Sequence, residues 1–354
     1  MPPAPPDNPA ESALGRRVLE LVDIPSESRH EEAMYSYINA AVPLQREFAD
    51  GESAVFAKRA GKPLVLLAGH TDTVPAQGNL PGRIDGGAVV GLGASDMKGG
   101  LGVMIELGRW AAETELAYDL ALLFFPREEL GPAENPLPGV FERVPLIDEA
   151  ALVICLEPTD NTVQLGCLGN LNARVVFEGK AAHSARPWMG VNAIALALEG
   201  LAGVLHLEPR DVEIEGLLFR EVLSVTQIHG GIAQNVVPAR VEATLNFRFA
   251  PDRTPAEAEA RVRELVGRDL EILSVSPAAH VAASSPLVQA LRDAGGFELQ
   301  PKQAWTNVAD FAARGLDAVN LGPGGTRYAH TADERVEIAE LERTYAALQR
   351  FLVG

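Results

Sequence analysis

The sequence predicts an α/β protein whose sheet is covered by helices, with a smaller α+β unit inserted into it. Three observations carry this expectation. Short, continuous apolar runs alternate with helical periodicity through the first part of the chain, as in a sheet buried on both faces. Near Gly169 the pattern changes to strands in which polar and apolar residues alternate. A small-residue stretch at 278–285 (AAHVAASS) then returns the chain to α/β character, which continues to Gly354. The expected boundaries are 1–170 with 284–354 for the first domain, and 171–283 for the inserted one.

Each element follows from its local pattern. Residues 1–10 are proline-rich and are expected to fray. From about Glu11, the apolar residues Leu14, Val18, Leu19 and Val22 recur at spacings of three and four, which predicts a helix. Ser28 and Glu31 have the spacing of a capping box ahead of a second helix through Met34 and Tyr37. The runs 64–68 (LVLLA), 120–125 (LALLFF) and 151–156 (ALVICL) are of the buried-strand type. A glycine-opened helix from Gly99 to about Ala112 separates the first two. Beyond Gly169, residues 172–178, 221–227, 239–249 and 270–275 read as strands, and 192–205 and 254–266 as helices. No internal repeat is visible.

Length and composition bound the function. A chain of 354 residues is long for one ordinary core and suggests two domains. A net charge of -18 repels phosphate backbones and argues against a nucleic-acid partner. The two cysteines, Cys155 and Cys167, form no CxxC pair and are expected to be reduced thiols. The N-terminus lacks the basic start and apolar core of a signal peptide. No stretch reaches the roughly 18 apolar residues of a membrane span, so a cytoplasmic location without membrane contact is expected.

Five short motifs carry chemistry. In 69–75 (GHTDTVP), His70 stands at the end of the first apolar strand, where α/β sheets bind ligands. Asp72, two residues on, points to the same side and can accept the second imidazole N–H, raising the basicity of His70 toward a metal. In 91–100 (GLGASDMKGG), Asp96 lies at a glycine-rich turn into a helix, where a lone carboxylate is usually an N-cap but one beside His70 reads as a metal-bridging carboxylate. A phosphate loop is excluded because GxxxxGK[ST] is absent. Glu128 and Glu129 follow the second strand as adjacent carboxylates, an arrangement that is costly unless a cation or proton is shared. Glu157 follows the third strand, and His330 follows a glycine-rich 322–325 segment. Each motif alone also fits a solvated acidic loop or a polar strand end. Together they supply imidazole and carboxylate ligands without thiolate, a donor set that suits zinc, cobalt or manganese in a dinuclear site.

These motifs, in this order, resemble the dinuclear zinc aminoacylase/carboxypeptidase family. The inserted unit adds 179–187 (GKAAHSARP) and 230–238 (GGIAQNVVP), which resemble that family's GKxAHSxxP and GGxxxNVVP. Within the family, GCLGNL, HSARPWMG, NVVPARVEATLNFRFAPDRT and WTNVADF resemble the actinobacterial members that remove succinyl from N-succinyl-LL-2,6-diaminopimelate. N-acetylornithine and other N-acyl amino acids or peptides are the alternative substrates.

The resemblance implies a zinc-hydrolase domain with an inserted lid/dimerisation domain, a homodimer, and two zinc ions per subunit, with cobalt as a substitute. It implies that His70, Asp96 and Glu157 hold one metal, and that Asp96, Glu129 and His330 hold the other. Glu128 would be the general base and Asp72 would orient His70. His183 would reach across a dimer interface to stabilise the oxyanion. Asn235 and Arg248 would bind substrate carboxylates, with Arg186 as a weaker candidate and Gly325 beside the substrate. The chain departs from the family's pattern at 166–169 (GCLG), where many desuccinylases carry an arginine, and at 305–311 (WTNVADF), where Asn307 and Asp310 stand where relatives often have aspartate and arginine.

Overall fold

The three apolar runs become neighbouring strands in the middle of one mixed sheet. The computed structural model describes residues 12–354, so the proline-rich start lies outside the described residues. Two compact units form. One comprises the chain up to Leu165 together with Ala282–Gln300 and Asp310–Gly354; the other comprises Gly166–Val281 and Pro301–Ala309.

In the first unit the sheet has eight strands, and Leu64–His70 lies between Asp119–Phe125 and Ala150–Cys155. Both pairings are parallel, whereas Ala54–Lys58 joins Asp119–Phe125 antiparallel. Leu64–His70 and Asp119–Phe125 are buried along their whole length, which is why both read as unbroken apolar runs. The helices Ala13–Val22, Gly99–Glu113 and Ile338–Val353 pack on one another. Ser12 caps the first of these, accepting the Gly15 N–H at 3.0 Å. A small three-stranded sheet pairs Arg335–Glu337 with Ala88–Val90, and the latter with Arg83–Asp85.

The second unit is a five-stranded antiparallel sheet in the spatial order Arg210–Ile214, Leu217–Gly230, Arg240–Phe249, Gly169–Glu178, Leu270–Ser276. Alternate residues Leu171, Ala173, Val175 and Phe177 join Val241, Ala243, Leu245 and Phe247 in one core. The helices Ala193–Leu205 and Pro255–Val266 contribute Ala197, Leu201, Ala258 and Val262 to it. Thr254 and Glu257 form a complete capping box at the start of the second helix. The two strands Gly169–Glu178 and Arg240–Phe249 carry an asparagine cluster on the other face: the Asn246 Nδ2 donates to Asn170 at 2.7 Å and Asn172 at 2.8 Å.

One local expectation changes. Glu32–Ala41 begins without a side-chain cap, and the Ser28 hydroxyl donates instead to Asp72 Oδ2 at 2.7 Å. Asp96 precedes the Gly99–Glu113 helix and sits in an irregular turn, at φ -121° and ψ 95°, which rules out the alternative N-cap role.

Candidate active site

Parallel strands in register end together, so the residues that follow them converge. His70 pairs with Phe125, which places Glu128 and Glu129 just beyond the same edge. Ala150–Cys155 ends two residues before Glu157 on the other side. Arg127 adopts a left-handed backbone at φ 60°, the sharp turn that separates the Glu128–Glu129 pair from its strand. Its guanidinium holds Glu52 with two contacts of 2.8 Å.

The imidazole of His70 is buried and oriented from behind. Its Nδ1 lies 3.1 Å from the Asp72 carbonyl oxygen and 3.3 Å from Asp72 Oδ1. A carbonyl only accepts, so Nδ1 carries the hydrogen and Nε2 is left to face Asp96 Oδ1 at 3.1 Å. Asp72 does more than orient this ring. Its Oδ1 accepts the Glu128 N–H at 3.0 Å, and its Oδ2 accepts the Glu129 N–H at 3.2 Å. One carboxylate thus sets both the histidine and the acidic turn opposite it.

Two triads lie within ligand range of one another. Ligand atoms of His70, Asp96 and Glu157 fall within 4.8 Å of each other, and so do those of Asp96, Glu129 and His330. Asp96 is common to both. His330 Nε2 is 2.9 Å from Glu129 Oε1 and 3.6 Å from Asp96 Oδ2. His70, Glu128 and Glu129 form a third such group. So many carboxylates at this separation repel one another unless cations or protons intervene. The mixture of imidazole and carboxylate, with one nitrogen of His70 already committed, fits metal ions.

The titration behaviour follows from this crowding. Burial pushes the Glu128 carboxyl well above its ordinary range; the nearby anions Glu157, Glu129 and Asp96 push the same way, against the opposing charge of His70. For His70, burial would depress the imidazole, but its bonds to Asp72 and Asp96 more than reverse that and hold it well above the ordinary histidine value. The bond to Glu129 raises His330 to about 9. Burial would raise Asp72, yet its bonds to His70, Ser28 and the Glu128 N–H hold it below the usual carboxylate range.

Gly325 lies in the first unit and is buried; its carbonyl accepts the Ser95 hydroxyl at 3.1 Å. The other expected residues lie in the second unit. His183 and Val236 pair in a two-residue ladder, and the Ser184 N–H donates to the Asn235 carbonyl at 2.9 Å. This brings His183 and Asn235 side by side, both exposed, with Arg186 on the same exposed turn. Arg248 lines a cavity of about 370 Å³ with Leu168, Leu218, Arg220, Val222 and Gln303. Its Nε donates to Asn246 Oδ1 at 3.0 Å, and among the described residues no carboxylate pairs with it. Burial lowers the Arg248 pKa accordingly. Arg220, by contrast, is held by Asp211 at 2.7 and 2.9 Å.

Sequence reasoning missed two residues here, Ser28 and Glu334. Glu334 is only 1% exposed and accepts backbone N–H groups from the loop that carries Asp96. The only sequence signal was its place in the 329–334 motif (AHTADE), with no partner visible nearby.

The family model for peptidase family M20/M25/M40 matches residues 66–353. The chain is 39% identical over 342 residues to a Mycobacterium tuberculosis protein named as a succinyl-diaminopimelate desuccinylase, covering 94% of this chain and 96% of that one. It is 35% identical over 346 residues to the Corynebacterium glutamicum succinyl-diaminopimelate desuccinylase, covering 94% of each. The fold matches that of an M20 metallo-carboxypeptidase from Sulfolobus solfataricus with a TM-score of 0.74 at 19% identity, over 96% of this chain and 98% of that one. Among the described residues, no helix is long and apolar enough to cross a membrane. The chain is therefore a member of peptidase family M20/M25/M40, a hydrolase of the metal-dependent amidohydrolase type.

Proposed function

We propose that this enzyme is a dinuclear zinc amidohydrolase that removes succinyl from N-succinyl-LL-2,6-diaminopimelate, giving succinate and diaminopimelate. The observation that carries the chemistry is the pair of triads sharing Asp96, with Glu128 beside them. What favours the substrate is the identity to desuccinylases over nearly the whole chain.

In this reading His70, Asp96 and Glu157 hold one ion, and Asp96, Glu129 and His330 hold the other. When bound, the two ions polarise the amide carbonyl and acidify the attacking water, with cobalt able to replace zinc. Glu128 takes a proton from that water as its oxygen bonds to the carbonyl carbon. It then delivers the proton to the amide nitrogen as the C–N bond breaks. Its raised pKa suits both halves of that transfer. Asp72 keeps His70 and the Glu128 backbone in place throughout.

Arg248 is the cation best placed to receive a substrate carboxylate in the second unit, since it faces a cavity and carries no acidic partner there. His183, Asn235 and Arg186 supply further polar contacts. The second unit also serves as the lid and dimerisation domain, with His183 of one protomer stabilising the oxyanion in its partner's site. The lack of an arginine at 166–169 favours a second reading, in which the acyl group is acetyl or an aminoacyl residue.

The test is amine release by protein stripped of metal and reloaded with two equivalents of zinc. The substrates are N-succinyl-LL-diaminopimelate, N-acetylornithine and a dipeptide panel, with Glu128→Ala as control. Zinc-dependent release from the succinyl substrate alone, abolished in Glu128→Ala, is the expected outcome. Turnover of another substrate in its place overturns the desuccinylase assignment and supports the second reading.

A further inference from the structure

Beyond the ligands, we propose that Glu334 is a positioning residue for the metal centre. It sets the backbone that carries Asp96 and, from the same segment as His330, fixes the spacing of these two ligands. This rests on the dinuclear reading of the site.

The loop before the Gly99–Glu113 helix breaks regular backbone geometry at Asp96 and Met97. Its buried N–H groups therefore need acceptors from elsewhere. A single side chain supplies the acceptors for three of them. Glu334 Oε1 accepts the N–H of Ser95 at 3.1 Å and of Asp96 at 2.9 Å, and Oε2 accepts the Gly93 N–H at 2.8 Å. The Glu334 carbonyl also accepts the Gly91 N–H at 2.9 Å. The small sheet presents Glu334 for this task, since Arg335 pairs with Val90 just before the loop. The far end of the loop is fixed separately, by Lys98 Nζ donating to the carbonyls of Val22 at 3.3 Å and Ile24 at 2.9 Å.

Both carboxylate oxygens are used as acceptors, so an amide of the same shape cannot substitute. Glu334→Gln must turn an NH₂ group toward at least one backbone N–H. The bond most directly tied to function is the one to the Asp96 N–H, because it fixes the main chain of the carboxylate shared by both triads. His330 lies four residues before Glu334, so the same anchor holds the segment that delivers the exposed histidine ligand. Removal of such supporting bonds costs metal affinity roughly tenfold to a hundredfold.

A matched control separates positioning from general loosening. Asp119 is equally buried and also accepts two backbone N–H groups, from Ala60 at 2.7 Å and Gly61 at 3.1 Å. It stands at the opposite end of the strands from His70, opposite Leu64.

The experiment titrates metal-free wild type, Glu334→Gln and Asp119→Asn with zinc by calorimetry. It also records the visible spectrum of each protein loaded with two equivalents of cobalt(II), and measures urea unfolding of each. The expected result is two-metal binding by wild type, affinity at least roughly tenfold weaker with an altered cobalt spectrum in Glu334→Gln, and wild-type affinity and spectrum in Asp119→Asn despite its lower unfolding midpoint. Glu334→Asp, which keeps the anion but withdraws it, is read in the same way if Glu334→Gln does not fold. Wild-type affinity and spectrum in the Glu334 variants, or equal losses in Asp119→Asn, overturn the inference while leaving the dinuclear site intact. Failure of the wild type to bind two metals overturns both.

Discussion

Asp72 shows how much one buried carboxylate organises. It accepts from His70, from Ser28 and from the backbone of Glu128 and Glu129, so it connects the first strand end to the acidic turn of the second. Asp72→Asn keeps the shape but places an NH₂ against donors. Its zinc affinity is expected to fall by roughly tenfold to a hundredfold, with a lower kcat, checked by calorimetry and steady-state kinetics. Wild-type affinity would show that His70 is oriented by its surroundings without this carboxylate. His70, Asp96, Glu128, Glu129, Glu157 and His330 were legible as candidates because each stands at the end of an apolar strand or beside a glycine turn. Ser28 and Glu334 were not, because their partners lie 44 and about 240 positions away in sequence. A local spacing even gave Ser28 the wrong role, as a cap.

At the scale of elements, the glycine pair that opens the Gly99–Glu113 helix serves close approach. A Cβ on Gly100 would stand 2.3 Å from the Leu156 carbonyl oxygen, one residue before Glu157. The helix that follows Asp96 and the strand end that delivers Glu157 are thus in backbone contact. Gly100→Ala must push them apart, and the obstacle is main chain, not a side chain that could swing away. The expected cost is about 1–3 kcal/mol of unfolding free energy, together with weaker metal binding, measured by urea denaturation and zinc titration. An unchanged metal affinity would mean that the two elements move as one body. The glycines of 91–100 could be read in sequence as a turn, but the surface they approach could not.

For the molecule as a whole, acid stability follows from buried carboxylates held by cations. Glu221 is the clearest case in the second unit. Burial alone would raise its pKa, but Arg210, Arg253 and the Ala250 N–H hold it below the ordinary 4.5. A depressed folded value means that its contribution is complete above about pH 4.5 and is lost as pH falls through the lower, folded value. Wild type should therefore lose unfolding free energy as pH falls below about 4.5, and Glu221→Gln should show lower stability at pH 7 with a shallower acid slope. Parallel slopes for the two proteins would remove Glu221 from the account. This network links residues 210, 221 and 253, of which the sequence pattern places only Glu221 in an element, the strand 221–227.

The sequence by itself determined the two kinds of secondary-structure pattern and the imidazole and carboxylate side chains that stand at strand ends and glycine turns. These follow from hydrophobic periodicity and from chemistry confined to a few consecutive residues. Only the tertiary structure decided that Asp72 spans two strand ends and that Glu334 supports the Asp96 loop. Those relations depend on parallel strands ending in register and on buried N–H groups finding acceptors far along the chain, and neither is encoded in any local window.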